Sequence, residues 1–127
     1  MIAVDTSSLV AYLAGERAAD TDAVDDAIGH NAAVLPPVVV TELLSASNVD
    51  RHLRGALLAI PMLDLVDGYW ERAGILRARL HAHRFKPRLA DSLIAQSCLD
   101  HNLALITRDR DFRHFAQHGG LRLALRP

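Results

Sequence analysis

The chain contains 127 residues, of which 50% are hydrophobic, and it carries a formal net charge of −1 with a mean hydropathy of +0.12. A chain of this size and composition can bury one hydrophobic core, which argues against intrinsic disorder. No apolar run approaches the about 20 residues that a membrane helix needs. Asp5 interrupts the N-terminal apolar stretch too early for a signal peptide. We therefore expect a cytoplasmic protein that does not enter a membrane.

The pattern of apolar residues and chain-breaking residues predicts short strands that alternate with helices. The predicted strands cover residues 2–4, 32–35, 62–65, 103–106 and 121–125. The predicted helices cover residues 6–13, 18–28, 36–47, 50–59, 67–83, 89–101 and 111–116. No repeat or linker divides the chain, so we expect a single domain over residues 1–127. The alternation predicts an α/β fold whose mostly parallel sheet is covered by helices on both faces.

The net charge hides an asymmetry between the two parts of the chain. Residues 1–50 contain eight acidic residues and one basic residue, a charge of −7, whereas residues 51–127 contain 13 basic and seven acidic residues, a charge of +6. The segment from Arg72 to Arg88, called the basic stripe below, contains six basic residues and no acidic one. Such a stripe is typical of a surface that binds a polyanion, and a solvated helix face is the alternative.

Four carboxylates lie in or beside apolar segments, where acidic side chains are uncommon unless they are paired or hold a metal. Asp5 and Asp109 each follow a predicted strand, Asp91 opens a predicted helix, and Glu42 lies within an apolar helix. The carboxyl ends of parallel strands form the ligand-binding edge of such a sheet, so we expect the four to converge there. Taken singly, Asp5, Asp91 and Asp109 could instead cap a helix or form a turn.

An all-carboxylate site favours Mg²⁺ or Mn²⁺, because zinc prefers histidine or cysteine ligands. His114 and His118 have the i, i+4 spacing of a zinc pair, but Gly119 follows at once and no cysteine is near. Ser7 and Thr107 could hydrogen-bond a ligand carboxylate or a metal-bound water, or could simply form caps and turns. Bound Mg²⁺ or Mn²⁺ supports the hydrolysis of phosphodiesters.

Four segments in this order resemble the four motifs of PIN-domain ribonucleases: residues 2–7, 36–43, 89–95 and 105–112. The resemblance runs from residue 2 to about residue 115, and the short chain is most similar to the VapC toxins of bacterial type II toxin–antitoxin systems. It implies a PIN-like α/β/α sandwich with a central, mostly parallel sheet. It further implies Mg²⁺- or Mn²⁺-dependent cleavage of RNA, a homodimer, and a cognate antitoxin protein that blocks the site.

The resemblance also assigns roles to residues. The catalytic and metal-binding acids would be Asp5, Glu42, Asp91 and Asp109. Asp109 is favoured over Asp111 as the fourth acid because it is nearer the strand end. The expected auxiliary residues are Ser7, Thr107 and Asp111, and the expected RNA contacts in the basic stripe are Arg84, Lys86 and Arg88.

Two other classes stay open. A catalytically silent PIN-like binding module would retain the fold without activity. A phosphoacceptor receiver domain would have adjacent acids after its first strand and a lysine after a late strand, but Asp5 is followed by Thr6 and the sole lysine is Lys86. For association, we expect small and aliphatic residues of the helices at 18–28 and 37–58 to form a twofold interface or an antitoxin groove. Those residues are Ala23, Ala27, Ile28, Leu43, Leu44, Leu53, Leu57 and Leu58.

Overall fold

The computed structural model describes residues 1–125, which contain three strands and seven helices. The strands are β1 (Ile2–Val4), β2 (Ala33–Val34) and β3 (Leu105–Ile106). The helices are α1 (Thr6–Leu13), α2 (Ala19–Gly29), α3 (Pro37–Leu44), α4 (Arg51–Leu58), α5 (Tyr69–Ala82), α6 (Leu89–Asp100) and α7 (Phe112–Gly119). Each strand and helix lies within or close to a segment predicted from the sequence.

The three strands form one parallel sheet in the order β2-β1-β3. Ala3 pairs with Val34 on one side and with Leu105 on the other, so β1 is the central strand. Helices connect β1 to β2 and β2 to β3, as parallel connections require. The predicted α/β fold with helices flanking a parallel sheet is therefore confirmed.

Two predicted strands are reduced to single bridges at the sheet edges. Met62 pairs only with Leu35, and Leu123 pairs only with Leu105. β2 and β3 each contain only two residues, so a further strand at either edge can form few backbone hydrogen bonds with them. Met62 is also 56% exposed, so the chain there gains little from burial. The predictions of full strands at 62–65 and 121–125 were therefore wrong.

The core lies on both faces of the sheet. α5 packs against α6 and α7, whereas α1 packs against α2 and α3. Apolar side chains at helical spacing explain this packing: α5 buries Ala73, Leu76 and Leu80, and α3 buries Val39 and Leu43. Helix α3 ends at Leu44 rather than continuing to residue 47. Within residues 1–125, no helix has the length and apolar character that crossing a membrane requires.

The strand order places the ends of β1 and β3 side by side. Asp5 follows β1 directly, and its N–H donates to the carbonyl of Ile106, the last residue of β3, at 2.9 Å. From β1 the chain continues to β2 on one side of β1 and returns to β3 on the other side. The direction of the strand order therefore changes at β1. Ligands of parallel α/β sheets bind at such a point, beyond the carboxyl ends of the strands.

Candidate active site

Asp5 occupies the centre of this edge and is almost fully buried. It is 4% exposed, and its Oδ2 accepts hydrogen bonds from Ser7 Oγ at 2.7 Å and from Thr107 Oγ1 at 2.8 Å. Burial raises the pKa of Asp5, the two hydroxyl donors oppose that rise, and the charge of Asp109 adds to it. The structure thus brings Ser7 and Thr107 onto a candidate ligand carboxylate, as their sequence positions suggested.

Asp91 lies in the first turn of α6 and is 5% exposed. Burial raises its pKa to about 6, and the charges of Asp109 and Asp5 raise it further, whereas Arg88 opposes the rise. Two neighbouring carboxylates that both resist ionisation are the condition under which a bound cation is most favourable. Asp91 lies on the buried face of α6 together with Ile94 and Ala95.

Asp109 and Asp111 enter the site from the loop between β3 and α7. Thr107 Oγ1 accepts the Asp109 N–H at 3.0 Å, and Asp109 Oδ1 accepts the Asp111 N–H at 2.9 Å. These local bonds turn the loop back toward α6. One carboxylate oxygen from each of Asp91, Asp109 and Asp111 lies within 4.8 Å of the others. We call these three residues the acidic cluster; both candidates for the fourth acid belong to it.

Arg88 lies between two members of the acidic cluster. Its Nη2 donates to Asp109 Oδ2 at 2.9 Å, and its Nε donates to Asp91 Oδ2 at 3.3 Å. Its side chain is 69% exposed, so the guanidinium can move away without opening the core. Arg88, which was predicted to contact RNA, therefore lies inside the candidate site, where its positive charge offsets the negative charges of two carboxylates.

Glu42 is not buried, which corrects the interpretation of its apolar surroundings. Helix α3 buries Val39 and Leu43 on one face, and Glu42 lies off that face and is exposed. Its Oε1 accepts a hydrogen bond from Thr6 Oγ1 at 2.7 Å. Because Thr6 follows Asp5, Glu42 lies at the border of the site, and its role as a ligand stays a prediction.

The sequence analysis missed the ion pair between the buried Asp20 and the exposed Arg108. Arg108 Nε and Nη2 donate to the two carboxylate oxygens of Asp20 at 2.8 and 3.1 Å, and Ser8 Oγ donates at 2.8 Å. Chiefly because of Arg108, the pKa of Asp20 is lowered to about 2. Since Arg108 lies between Thr107 and Asp109, this pair fixes the site loop to α2. The spacing of Asp20 with the buried Val24 of α2 was the available signal.

The basic stripe is not one continuous free surface. Arg72 forms a bidentate pair with Asp100 at 2.9 and 2.7 Å, and Arg77 donates to the Pro87 carbonyl at 3.2 Å. With Arg88 in the site, the remaining basic residues of the stripe are Arg79, Arg84 and Lys86. These three are exposed and form no ion pair within residues 1–125.

Comparison with known proteins agrees with this fold. The PIN domain family model matches residues 2–117, so the chain belongs to the PIN domain family. Among solved structures, FitAB bound to an IR36 DNA fragment has a TM-score of 0.71 at 20% identity, covering 97% of this chain and 93% of that chain. FitAcB from Neisseria gonorrhoeae has a TM-score of 0.70 at 20% identity, covering 97% and 96%. No curated protein matches the sequence.

Proposed function

We propose that this protein is a metal-dependent ribonuclease that serves as the toxin of a type II toxin–antitoxin pair. The observation that carries the proposal is the acidic cluster, whose three carboxylates lie within 4.8 Å of one another beside the buried Asp5. PIN domains are generally nucleases. The structural relatives FitAB and FitAcB support the comparison with a toxin–antitoxin pair.

The donor set fits a hard divalent cation. Its candidate ligands are carboxylates, which suit Mg²⁺ and Mn²⁺ better than softer metals. The site already holds one positively charged group, because the guanidinium of Arg88 donates hydrogen bonds to both Asp91 and Asp109. When bound, Mg²⁺ or Mn²⁺ would generate a hydroxide nucleophile and neutralise charge on the phosphodiester. Asp5, Asp91, Asp109 and Asp111 would hold the ion, with Glu42 at the border of the site.

The chain's own residues would then position and bind the substrate. Ser7 and Thr107 orient the Asp5 carboxylate through their hydrogen bonds. Arg88, whose side chain is 69% exposed, would contact the oxygens of a phosphate, which a guanidinium binds in a bidentate manner. The pair of Asp20 and Arg108 holds the loop that carries Asp109.

We expect the purified protein to cleave RNA only in the presence of Mg²⁺ or Mn²⁺. Incubation of total RNA with each metal, followed by sequencing of the new RNA ends, measures activity and identifies the target together. Chelation should abolish cleavage, and restoring the metal should recover it. A metal-induced rise in melting temperature without any cleavage would indicate the silent binding module instead. Undiminished cleavage in excess chelator would contradict the metal-dependent mechanism.

The free part of the basic stripe should contribute to RNA affinity. Each phosphate contact on a single strand adds about 0.7 to the slope of log K against log salt concentration, so replacing Arg84 and Lys86 by alanine should reduce the slope by about 1.4. Arg51→Ala/Arg54→Ala on α4 is the matched control, because both residues are exposed and lie outside the stripe. Fluorescence anisotropy at several salt concentrations measures both slopes. An unchanged slope in the variant that lacks Arg84 and Lys86 would show that this part of the basic stripe is a solvated face and does not contact RNA.

Two connected apolar grooves are the surface that we propose for the antitoxin. One groove of about 410 Å³ and one of about 210 Å³ share Leu13 and Leu57 between α1 and α4. Among the apolar residues expected at an interface, Leu43 and Leu57 line the grooves but are nearly buried, at 5% and 3% exposure, and Ala27 belongs to the core, at 6%. Connected apolar grooves of this kind suit the apolar face of an amphipathic helix.

We expect the isolated chain to be a homodimer, and the antitoxin to occupy these grooves with a basic side chain near the acids. Light scattering of the chain, alone and with an amphipathic antitoxin peptide, measures both states. Leu13→Arg, at a position 38% exposed in both grooves, should weaken the complex, whereas Leu65→Arg, 45% exposed outside them, should not. A clean monomer at high concentration that gains no partner would leave both expectations without support.

A further inference from the structure

A small cavity opens beside the acidic cluster, between the loop that follows α5 and the helix α7. It measures about 130 Å³, and its lining includes Phe85, Lys86 and His114 together with Asp91 and Asp111. We propose that this cavity binds one pyrimidine base of the RNA, next to the phosphodiester that is cleaved. This inference rests on the proposed function and adds a base-binding subsite to it.

The cavity and the acidic cluster share residues. Asp91 and Asp111 line the cavity, and each also contributes a carboxylate oxygen to the cluster. A molecule in the cavity therefore lies directly beside the position of the cation and of the phosphate that it would bind. In a nucleic acid, the group closest to a backbone phosphate that fits an enclosed space with apolar walls is the base of the adjoining nucleotide.

The walls of the cavity match the chemistry of a base. The partly exposed Phe85 and Pro87 provide the apolar surface of the cavity. The rings of Phe85 and His114 stack with their centroids 3.8 Å apart and their planes 21° apart, and together they form an aromatic wall. Proteins that recognise single-stranded RNA hold unstacked bases against aromatic and histidine rings in this way.

The exposed Lys86 supplies the polar contact that such a site needs. Lys86 lines the cavity, and its ammonium group forms no ion pair within residues 1–125. It can donate to a ring carbonyl oxygen, which uracil and cytosine both carry and adenine lacks. Flat apolar faces and a carbonyl edge are the two properties of a base that these walls complement.

The size of the cavity selects a single ring. An enclosed apolar cavity of about 150 Å³ takes up one benzene molecule, and this cavity, at about 130 Å³, is of that scale. A pyrimidine therefore fits, whereas the second ring of a purine would extend beyond the cavity. The aromatic wall is also braced from behind, since His118 lies 5.5 Å from Phe85 and stacks on His83 at 3.9 Å.

Binding can be measured without any cleavage. We would titrate the metal-free protein with UMP, CMP, AMP and ribose 5-phosphate and follow the imidazole Cε1 proton signals by NMR, assigning that of His114 with His114→Ala. UMP and CMP should shift the His114 signal several-fold more than AMP at equal concentration, and ribose 5-phosphate should leave it in place. A shift by ribose 5-phosphate equal to that by UMP would mean phosphate binding and would overturn the proposal, as would a larger shift by AMP.

Cleavage-site sequencing provides the second readout. Wild type should cut next to a pyrimidine, and His114→Ala should lower the pyrimidine-to-purine ratio of kcat/KM at least tenfold. Phe85→Leu, which keeps an apolar side chain, should lower it in the same direction. Trp70→Ala is the matched control, because Trp70 is 61% exposed at the opposite end of α5. Circular dichroism verifies that each variant is folded.

The two proposals fail in different ways. If wild type cleaves RNA without base preference and UMP leaves His114 unshifted, the base-binding subsite is wrong and the ribonuclease stands. If UMP and CMP shift His114 while no RNA is cleaved with any metal, the ribonuclease is wrong and the subsite stands as a pyrimidine-binding site.

Discussion

Asp91→Asn is expected to reduce the rate of metal-dependent RNA cleavage by at least about 100-fold while leaving the protein folded. The carboxylate lies at the centre of the acidic cluster, and asparagine retains its shape but not its charge. A metal that stabilises transition-state charge contributes several kcal/mol, and a loss of about 3 kcal/mol corresponds to about 100-fold in rate. Single-turnover cleavage of a labelled RNA at saturating Mn²⁺ measures the loss directly.

Asp5→Asn should show a loss of similar size, because Asp5 is the other buried carboxylate of the site. Asp22→Asn is the matched control: Asp22 is an exposed aspartate on α2, and the same chemical change there should leave the rate within about twofold of wild type. Full activity in both Asp5→Asn and Asp91→Asn would refute the assignment of the active site, provided that both variants bind RNA as wild type does.

The structure brings three of the four predicted acids close together, and their positions follow from local rules. Asp5 and Asp109 come just after buried strands, and parallel strands bring their carboxyl ends to one edge. Asp91 lies in the first turn of a helix whose buried face continues through Ile94 and Ala95. Strand ends and helix periodicity are readable from short stretches of sequence, so this part of the site needed no tertiary information.

The parts that sequence analysis missed depend on contacts between distant residues. Asp20 and Arg108 are 88 positions apart, and nothing near either residue reveals its partner. Arg72 and Arg88 were counted as free charges because their partners, Asp100 and Asp109, lie outside the basic stripe. Counting charges along the chain detects neighbours in sequence only, so it overestimated the surface that is available to RNA.

Glu42 shows a second limit. An apolar stretch was taken as evidence that every position in it is buried, but α3 exposes part of its surface. Three valines precede Glu42, and one of them, Val39, is fully buried while its neighbours are only partly so. The rotation of a short helix about its axis is set by packing against α1 and α6, which the sequence of α3 does not encode.

The metal-free protein should lose stability as the pH rises, and Asp91→Asn should largely remove that loss. Burial raises the pKa of Asp91 from 3.8 to about 6 in the folded protein. The folded state therefore holds the Asp91 proton more tightly than the unfolded state does. This contribution to stability is fully present below about pH 4 and disappears as the pH rises through 6. A difference of about two pH units corresponds to about 3 kcal/mol.

Asparagine has no proton to lose in this range, so above pH 6 the metal-free variant should gain up to about 3 kcal/mol relative to wild type, and below pH 4 the gain should vanish. Urea unfolding in chelator at pH 4 and pH 8 measures it. Asp100→Asn is the control of opposite sign, because Arg72 lowers the pKa of Asp100 and its loss should destabilise the protein at pH 8. Adding Mn²⁺ at pH 8 should stabilise wild type more than Asp91→Asn, since a cation at the acidic cluster offsets the repulsion that the variant has already lost. A variant no more stable than wild type at pH 8 would show that the Asp91 charge is not costly in the folded state. A Mn²⁺ response equal in both proteins would show that this charge is not part of the cation site.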